Sequence, residues 1–385
     1  KKGLPRSADI IRPEVVAVSL PSVTSQGFPY QGFPEPMSLR WSDLNAVALN
    51  KAPVAIAPSE SSQLCALPQH AVLEVAGADA QSFLQGQLTC DVQALVAGKL
   101  GCGAYCSPKG RMLASFLIWR VGSQGEADGF HLLLPSSLAE AIRKRLTMFV
   151  LRAKVSIRLM QKPLLGCVGI AAAASPMAEP INTTNPWQGQ SQVLNGLGQW
   201  LSLRIGDGLQ RHYLLAESEA ALDTWLATQP LSSANIAHPA FWDWLDIQAG
   251  LPLITPATQE QFTPQMCNLE LIDGVSFRKG CYTGQEIVAR TQHLGKVKRR
   301  LYRAHIPATA GVVPAIGDAL FSDDTGDQAN GMLLSVVPVD HAGETAGHDV
   351  LAVVQTSSHD HSQVHLGSAN GTTLQFHPLP YALPE

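Results

Sequence analysis

The run Phe277-Arg278-Lys279-Gly280-Cys281-Tyr282-Thr283-Gly284-Gln285-Glu286-Ile287-Val288-Ala289-Arg290 constrains the fold more than any other stretch, because it reads as a tight turn opening into a helix. Thr283 and Glu286 stand at capping-box spacing ahead of an apolar run, which predicts a helix start near Gly284. A thiol just before that start feels the positive end of the helix dipole and the charges of Arg278 and Lys279, and both favour the nucleophilic thiolate. Gly280 and Gly284 permit positive φ or a close approach to the backbone. A buried, inert cysteine in a strand-to-helix turn is the competing outcome for the same residues.

At 385 residues with 45% hydrophobic side chains, the chain has material for two or three domains with buried cores. Residues 1–64 are rich in Pro, Ser, Gln and Gly without sustained periodicity, which predicts an N-terminal extension; Ala46-Val47-Ala48-Leu49 is apolar enough to dock on the body. From His70 onward, alternation predicts strands at 72–75, 104–106, 112–120, 130–134 and 155–157, with a turn at Ser107-Pro108-Lys109-Gly110. Helical spacing predicts helices at 78–85, at 137–150 behind a Ser137-x-x-Glu140 capping box, at 220–227 and at 240–249. A second unit starts near Leu164, residues 176–196 read as a polar loop, and short strands beyond Arg300 suggest a small β-barrel. This mixture is α+β.

Net charge is −4, so no global field draws the chain to nucleic acid or an anionic membrane. Locally, Arg278, Lys279, Arg290, Lys296, Lys298, Arg299, Arg300 and Arg303 oppose Glu286 alone, giving residues 278–303 a charge of +7. That suits an anionic ligand or an RNA phosphate face, or equally a solvated strand edge. Seven cysteines at irregular spacing fit reduced intracellular thiols rather than a secreted disulfide framework. No run has the length of a transmembrane helix, and the start lacks the apolar core of a signal peptide. Cys102 and Cys106 lack a third nearby cysteine, and the histidines at 348, 359, 361 and 365 read as polar residues of a barrel loop, so no metal site is expected. Phosphate-binding GxxxxGK[ST], strand-linked GxGxxG, HExxH and GxSxG patterns do not occur.

Lys279-Gly280-Cys281-Tyr282-x-Gly284-Gln285-Glu286 resembles the signature of the YgfZ family, folate-binding proteins linked to tRNA modification and related to the T-protein of the glycine cleavage system. Ala249-Gly250-Leu251-Pro252, Gln261-Phe262-Thr263-Pro264-Gln265-x-x-Asn268-Leu269, the stretch from Gly295 to Arg299 and the terminal Pro378-Leu379-Pro380-Tyr381 match the same pattern. So do Gly77-Ala78-Asp79 and Gln85-Gly86-Gln87-x-Thr89-x-Asp91, and the resemblance spans roughly residues 66–385.

The resemblance implies a T-protein-like three-part fold, with two interleaved α/β units around a central folate-sized cleft and a C-terminal barrel. Residues 65–160 with 231–293 would form the folate-binding-like domain, 161–230 the second unit and 294–385 the barrel. It further implies a cytoplasmic folate-binding accessory protein supporting iron–sulfur enzymes and tRNA modification such as thiolation or methylthiolation. Cys281 would be the functional thiol, flanked by Lys279, Gln285 and Glu286. Folate or tetrahydrofolate would be met by Trp242, His70, Gln248, Tyr282 and Arg290. Two positions depart from the pattern: His70 replaces an aromatic contact, and Gln248 replaces the glutamate that holds the pterin edge in T-proteins. An amide cannot pair as an anion with a protonated ring. The alternatives are a tetrahydrofolate-dependent aminomethyl (one-carbon) transferase and a protein that contacts tRNA directly through residues 278–303.

Overall fold

The computed structural model describes residues 39–51, 62–122, 129–169, 186–206, 210–229, 235–308, 311–340 and 346–384. They carry three antiparallel sheets. The first contains β2 (His70–Ala76), β3 (Leu100–Cys106), β4 (Met112–Val121), β5 (Gly129–Pro135) and β6 (Ser156–Leu159), in the order β3-β4-β5-β2-β6. The second contains β1 (Gln63–Ala66), β7 (Leu164–Val168), β8 (Trp187–Leu194), β9 (Gly198–Ile205) and β10 (Arg211–Ala216), in the order β1-β7-β10-β9-β8. The chain therefore lays one strand in the second sheet, builds the first, and returns to finish the second. This is interleaving of the kind the resemblance implies. Strand β8 falls within what the sequence suggested was a loop, residues 176–196, of which 176–185 lie outside the described residues. Its glutamines and serine mask a strand whose inward positions are Trp187 and Gly189.

The third sheet holds β11 (Arg299–Pro307), β12 (Ala319–Ser322), β13 (Gly331–Val339), β14 (Gly347–Gln355), β15 (Val364–Leu366) and β16 (Gln375–His377), in the order β15-β12-β13-β14-β11-β16. It curls into a half-barrel. Its inner positions, such as Leu333, Val350, Ala352 and Val354, are fully buried.

Seven helices pack on these sheets among the described residues: α1 (Trp41–Leu49), α2 (Ala80–Gln85), α3 (Ser136–Met148), α4 (Glu219–Ala227), α5 (Pro239–Gln248), α6 (Gln285–Leu294) and α7 (Thr356–His361). Helix α3 buries Leu138, Ala139, Ile142 and Leu146, one stripe at helical spacing. The expected capping box at its start does not form: Pro135 is the cap residue, and Glu140 instead pairs with Arg143 at 2.8 Å. Helix α1 belongs to the body rather than to a free extension. Leu44 and Ala48 are buried with Leu64, Leu165 and Leu222, and the Trp41 amide donates to Asp223 at 2.6 Å. The rest of the extension, residues 1–38 and 52–61, lies outside the described residues. No helix among them is long and apolar enough to cross a membrane.

Several sequence blocks are braces between parts. Thr89 Oγ1 donates to the Gly274 carbonyl at 2.7 Å and accepts the Ala104 amide at 2.8 Å. Gln265, fully buried, donates to the Val288 carbonyl at 2.6 Å, while its own carbonyl accepts Arg300 at 3.0 Å. The Tyr381 hydroxyl donates to the Gly250 carbonyl at 2.9 Å, tying the C-terminal segment to the turn after α5.

Candidate functional site

The Cys281 turn enters α6 as the sequence predicts, but by a different cap. Gly284 is the cap residue, at φ 82°, and no side chain caps the helix, so the Thr283–Glu286 box is not made. Gly284 is required for packing as well as conformation. A Cβ there would lie 2.4 Å from the Ser107 carbonyl oxygen and 2.9 Å from Gly110 Cα. The turn at residues 107–110 thus lies directly against the start of α6. Gly280, by contrast, is not among the positive-φ residues.

Cys281 is the one exposed thiol of the seven. It lines a shallow depression of about 530 Å³ with Pro108, Tyr282, Thr283, Gln285 and Glu286. Burial pushes the other thiols up, Cys90 to about 11 and Cys106 to about 12. Access therefore selects Cys281. Lys279 does not neighbour it as a free charge: its ammonium is buried and donates to the carbonyls of Leu88 and Cys90, each at 2.8 Å. Tyr282 is also turned inward, 6% exposed, with the Lys279 ammonium 5.2 Å from its ring centroid. Burial raises its hydroxyl pKa. Arg290 is exposed on α6.

The residues expected to meet folate fall in three places rather than one. His70 and Trp242 come together through Tyr213, with ring centroids 6.4 and 4.9 Å from it. Trp242 has 0% exposure; its six-membered ring lies against Gly166, where a Cβ would come within 2.5 Å, and Arg211 sits 5.5 Å from the ring centroid. The indole is core in this fold, not a stacking surface. His70 is 7% exposed, and burial with the Arg211 charge holds it down at about 3, so its imidazole is neutral. Beside them Arg211 and Asp246 form a buried ion pair at 2.7 Å. Burial and the charge of Asp246 push Asp243 up to about 7.

Gln248 alone of the expected contacts lines a cleft of about 1060 Å³ between α5, the half-barrel and the C-terminal segment. Trp244, Tyr302, His359 and Phe376 supply its rings, and Arg211 and Arg303 its cations. Tyr302 and His359 stack at 3.8 Å with 11° between planes, and Phe376 meets His359 edge-on at 4.7 Å. The histidine-rich run expected to be a polar loop is instead α7, and it presents His359 to the cleft. Gln248 Nε2 donates to Asp349 at 3.1 Å, and its Oε1 accepts Arg303 Nη1 at 2.5 Å. Sequence reasoning missed Trp244, Arg303 and Asp349. The available signal was the four-residue spacing of Trp244 and Gln248, which puts both on one side of α5.

The +7 segment is not one charged face. Lys279, Arg300 and Arg303 turn inward onto carbonyls, Glu270 and Gln248, leaving Arg278, Arg290, Lys296 and Lys298 exposed.

No family model matches the chain. It is 31% identical over 325 residues to the tRNA-modifying protein YgfZ of Enterobacter sp. (strain 638), covering 84% of this chain and 94% of that protein. It is 29% identical over 328 residues to the tRNA-modifying protein YgfZ of Vibrio vulnificus (strain YJ016), covering 83% and 95%. Among solved structures, glycine cleavage system aminomethyltransferase T from Bartonella henselae superposes with a TM-score of 0.61 at 17% identity, covering 88% of this chain and 89% of that one, which is a likeness of fold. Similarity of this extent to its curated relatives shows that the chain belongs to the YgfZ family, on a scaffold shared with aminomethyltransferase T.

Proposed function

We propose that this protein is a cytoplasmic folate-binding factor in tRNA modification, taking folate or tetrahydrofolate in the cleft beside Gln248 and using Cys281 as a reactive thiol on a separate surface. The cleft carries the reading. It joins aromatic walls, an amide and two arginines, which is what a pterin ring with a carboxylate tail requires. Volume fits as well, at about 1060 Å³. Trp242 and His70 support this site from behind by packing around Arg211. The relatives' name, tRNA-modifying protein, supports the pathway.

An accessory role, serving iron–sulfur enzymes that thiolate or methylthiolate tRNA, suits the site better than aminomethyl transfer. Transfer needs an acid–base group at the pterin edge, and where the resemblance implies a glutamate this chain has Gln248, an amide engaged by Asp349 and Arg303. Direct tRNA contact through residues 278–303 is disfavoured because two of the eight cations, Lys279 and Arg300, are spent inside the fold and a third, Arg303, faces the cleft.

Two measurements test the reading. Calorimetric titration with folate and tetrahydrofolate should show binding that weakens about tenfold in Arg303→Met, the loss of one charged hydrogen bond; wild-type protein that binds neither ligand overturns the cleft assignment. Cys281→Ser should keep its melting temperature and folate binding yet fail to restore tRNA thiolation in cells lacking the protein. Full restoration would remove the thiol from the function.

A further inference from the structure

We propose that Asp349 is a positioning residue that fixes the hydrogen-bonding polarity of the cleft, so that the wall at Gln248 reads a ligand edge rich in acceptors; this rests on the folate reading of the same cleft.

Asp349 lies on β14, directly across the ladder from His305 of β11. Its carboxylate is a hub: Oδ2 accepts Trp244 Nε1 at 2.8 Å and Gln248 Nε2 at 3.1 Å, and Oδ1 meets His305 Nδ1 at 2.9 Å. One turn of α5 separates Trp244 from Gln248, so a single oxygen receives both. An indole N–H can only donate. The oxygen it meets is therefore an acceptor, and Gln248 must turn its nitrogen toward it. On the other side stands Arg303, which has only donors and meets Gln248 Oε1. The reversed amide would set oxygen against carboxylate and NH₂ against guanidinium, losing both bonds at once. Gln248 is thus held in one sense, with both ends engaged by the wall.

The consequence concerns what a ligand encounters. The amide's own acceptor is spent on Arg303, and the polar group left at this wall is the guanidinium, which lines the cleft and is held there by Gln248. Arg211 lines the same cleft. A donor wall matches a carbonyl edge, the 4-oxo face of a pterin, and mismatches an amino group in that position. Gln248 is then no weak copy of a glutamate: Asp349 supplies the carboxylate from strand β14 and uses it to aim the amide on α5.

Calorimetry on the full chain with folic acid and its 4-amino analogue reads this polarity directly. Wild-type protein should bind the 4-oxo ligand about tenfold tighter, the worth of one satisfied against one mismatched hydrogen bond. Asp349→Leu frees the amide to reverse, which sets its NH₂ against the guanidinium and removes the acceptor that anchors Arg303 at this wall, and should bring the ratio to about threefold or less, while Asp349→Asn, which keeps an acceptor for Trp244 and Gln248, retains it. A merely structural role would weaken both ligands in parallel and leave the ratio intact, which overturns the proposal; so does wild-type preference for the 4-amino ligand. If Asp349→Leu does not fold, Gln248→Leu, which removes the acceptor that anchors Arg303, must show the same collapse. Wild-type protein that binds neither ligand overturns the folate reading itself, whereas binding without discrimination overturns only the role of Asp349.

Discussion

Lys279 is bonded to Cys90: its ammonium donates to the Cys90 carbonyl at 2.8 Å, and to the neighbouring Leu88 carbonyl at the same distance. The lysine of the cysteine motif is thus a clamp on the first sheet. Lys279→Met should cost about 2 kcal/mol in urea denaturation, because two buried carbonyls lose a charged donor. An unchanged midpoint with slower thiol alkylation would instead make it the counter-charge of Cys281.

Gly284→Ala should be more damaging than a helix-end substitution usually is. The residue is at φ 82° and a Cβ would collide with the Ser107 carbonyl, so the turn at 107–110 must separate from α6. A loss of about 2 kcal/mol or more and faster modification of Cys281 are expected. A melting temperature within a degree of wild type would show that the two segments do not depend on each other.

Asp246→Asn leaves the Arg211 guanidinium buried without its counter-charge, and should cost about 3–5 kcal/mol. The double variant Arg211→Met with Asp246→Leu should recover most of that, since burying neither charge removes the desolvation cost. Equal losses in the single and double variants would mean that the pair contributes through shape alone.

Trp242→Ala should unfold much of the protein, at about 3–5 kcal/mol, because the indole fills the space over Gly166. Chemical denaturation alongside folate titration separates this from a ligand contact. A variant as stable as wild type but unable to bind folate would return the ring to the cleft.

Acid should destabilise the fold through its neutral histidines. Burial holds His212 at about 4 rather than 6.5, where its Nδ1 accepts the Trp200 indole N–H at 3.1 Å. As pH falls from 6.5 toward about 4, the unfolded chain binds a proton that the folded one refuses, so stability drops, on the order of 3 kcal/mol at the low end. Asp243 has the opposite sign: raised from 3.8 to about 7, its contribution is full below 3.8 and is lost as pH rises through 7. Melting profiles across this range should show a flatter acid limb in His212→Asn. Asp243→Asn should gain more on wild type at about pH 8 than at about pH 5. Parallel profiles for all three proteins would refute both assignments.

The sequence by itself determined the elements with a strong local period: α3, α4 and α5, strands β2, β4 and β5, and the turn into α6. It also singled out Cys281, because a motif, a helix start and a thiol coincide there. It failed at β8, whose strand pattern is written in glutamine and glycine, and at both predicted capping boxes, where the cap positions fall on Pro135 and Gly284, neither of which has a side-chain oxygen to accept the helix amides. The cleft was decided only by tertiary structure. The family resemblance implied that Trp242 and Gln248 meet one ligand, yet α5 is buried around most of its circumference and sends one into the core and the other to the cleft. The groups that complete the cleft, Arg303, Asp349 and His359, come from strands and a helix more than fifty residues away. Local periodicity says which face a residue occupies; only the docking of α5 on the half-barrel says what that face meets.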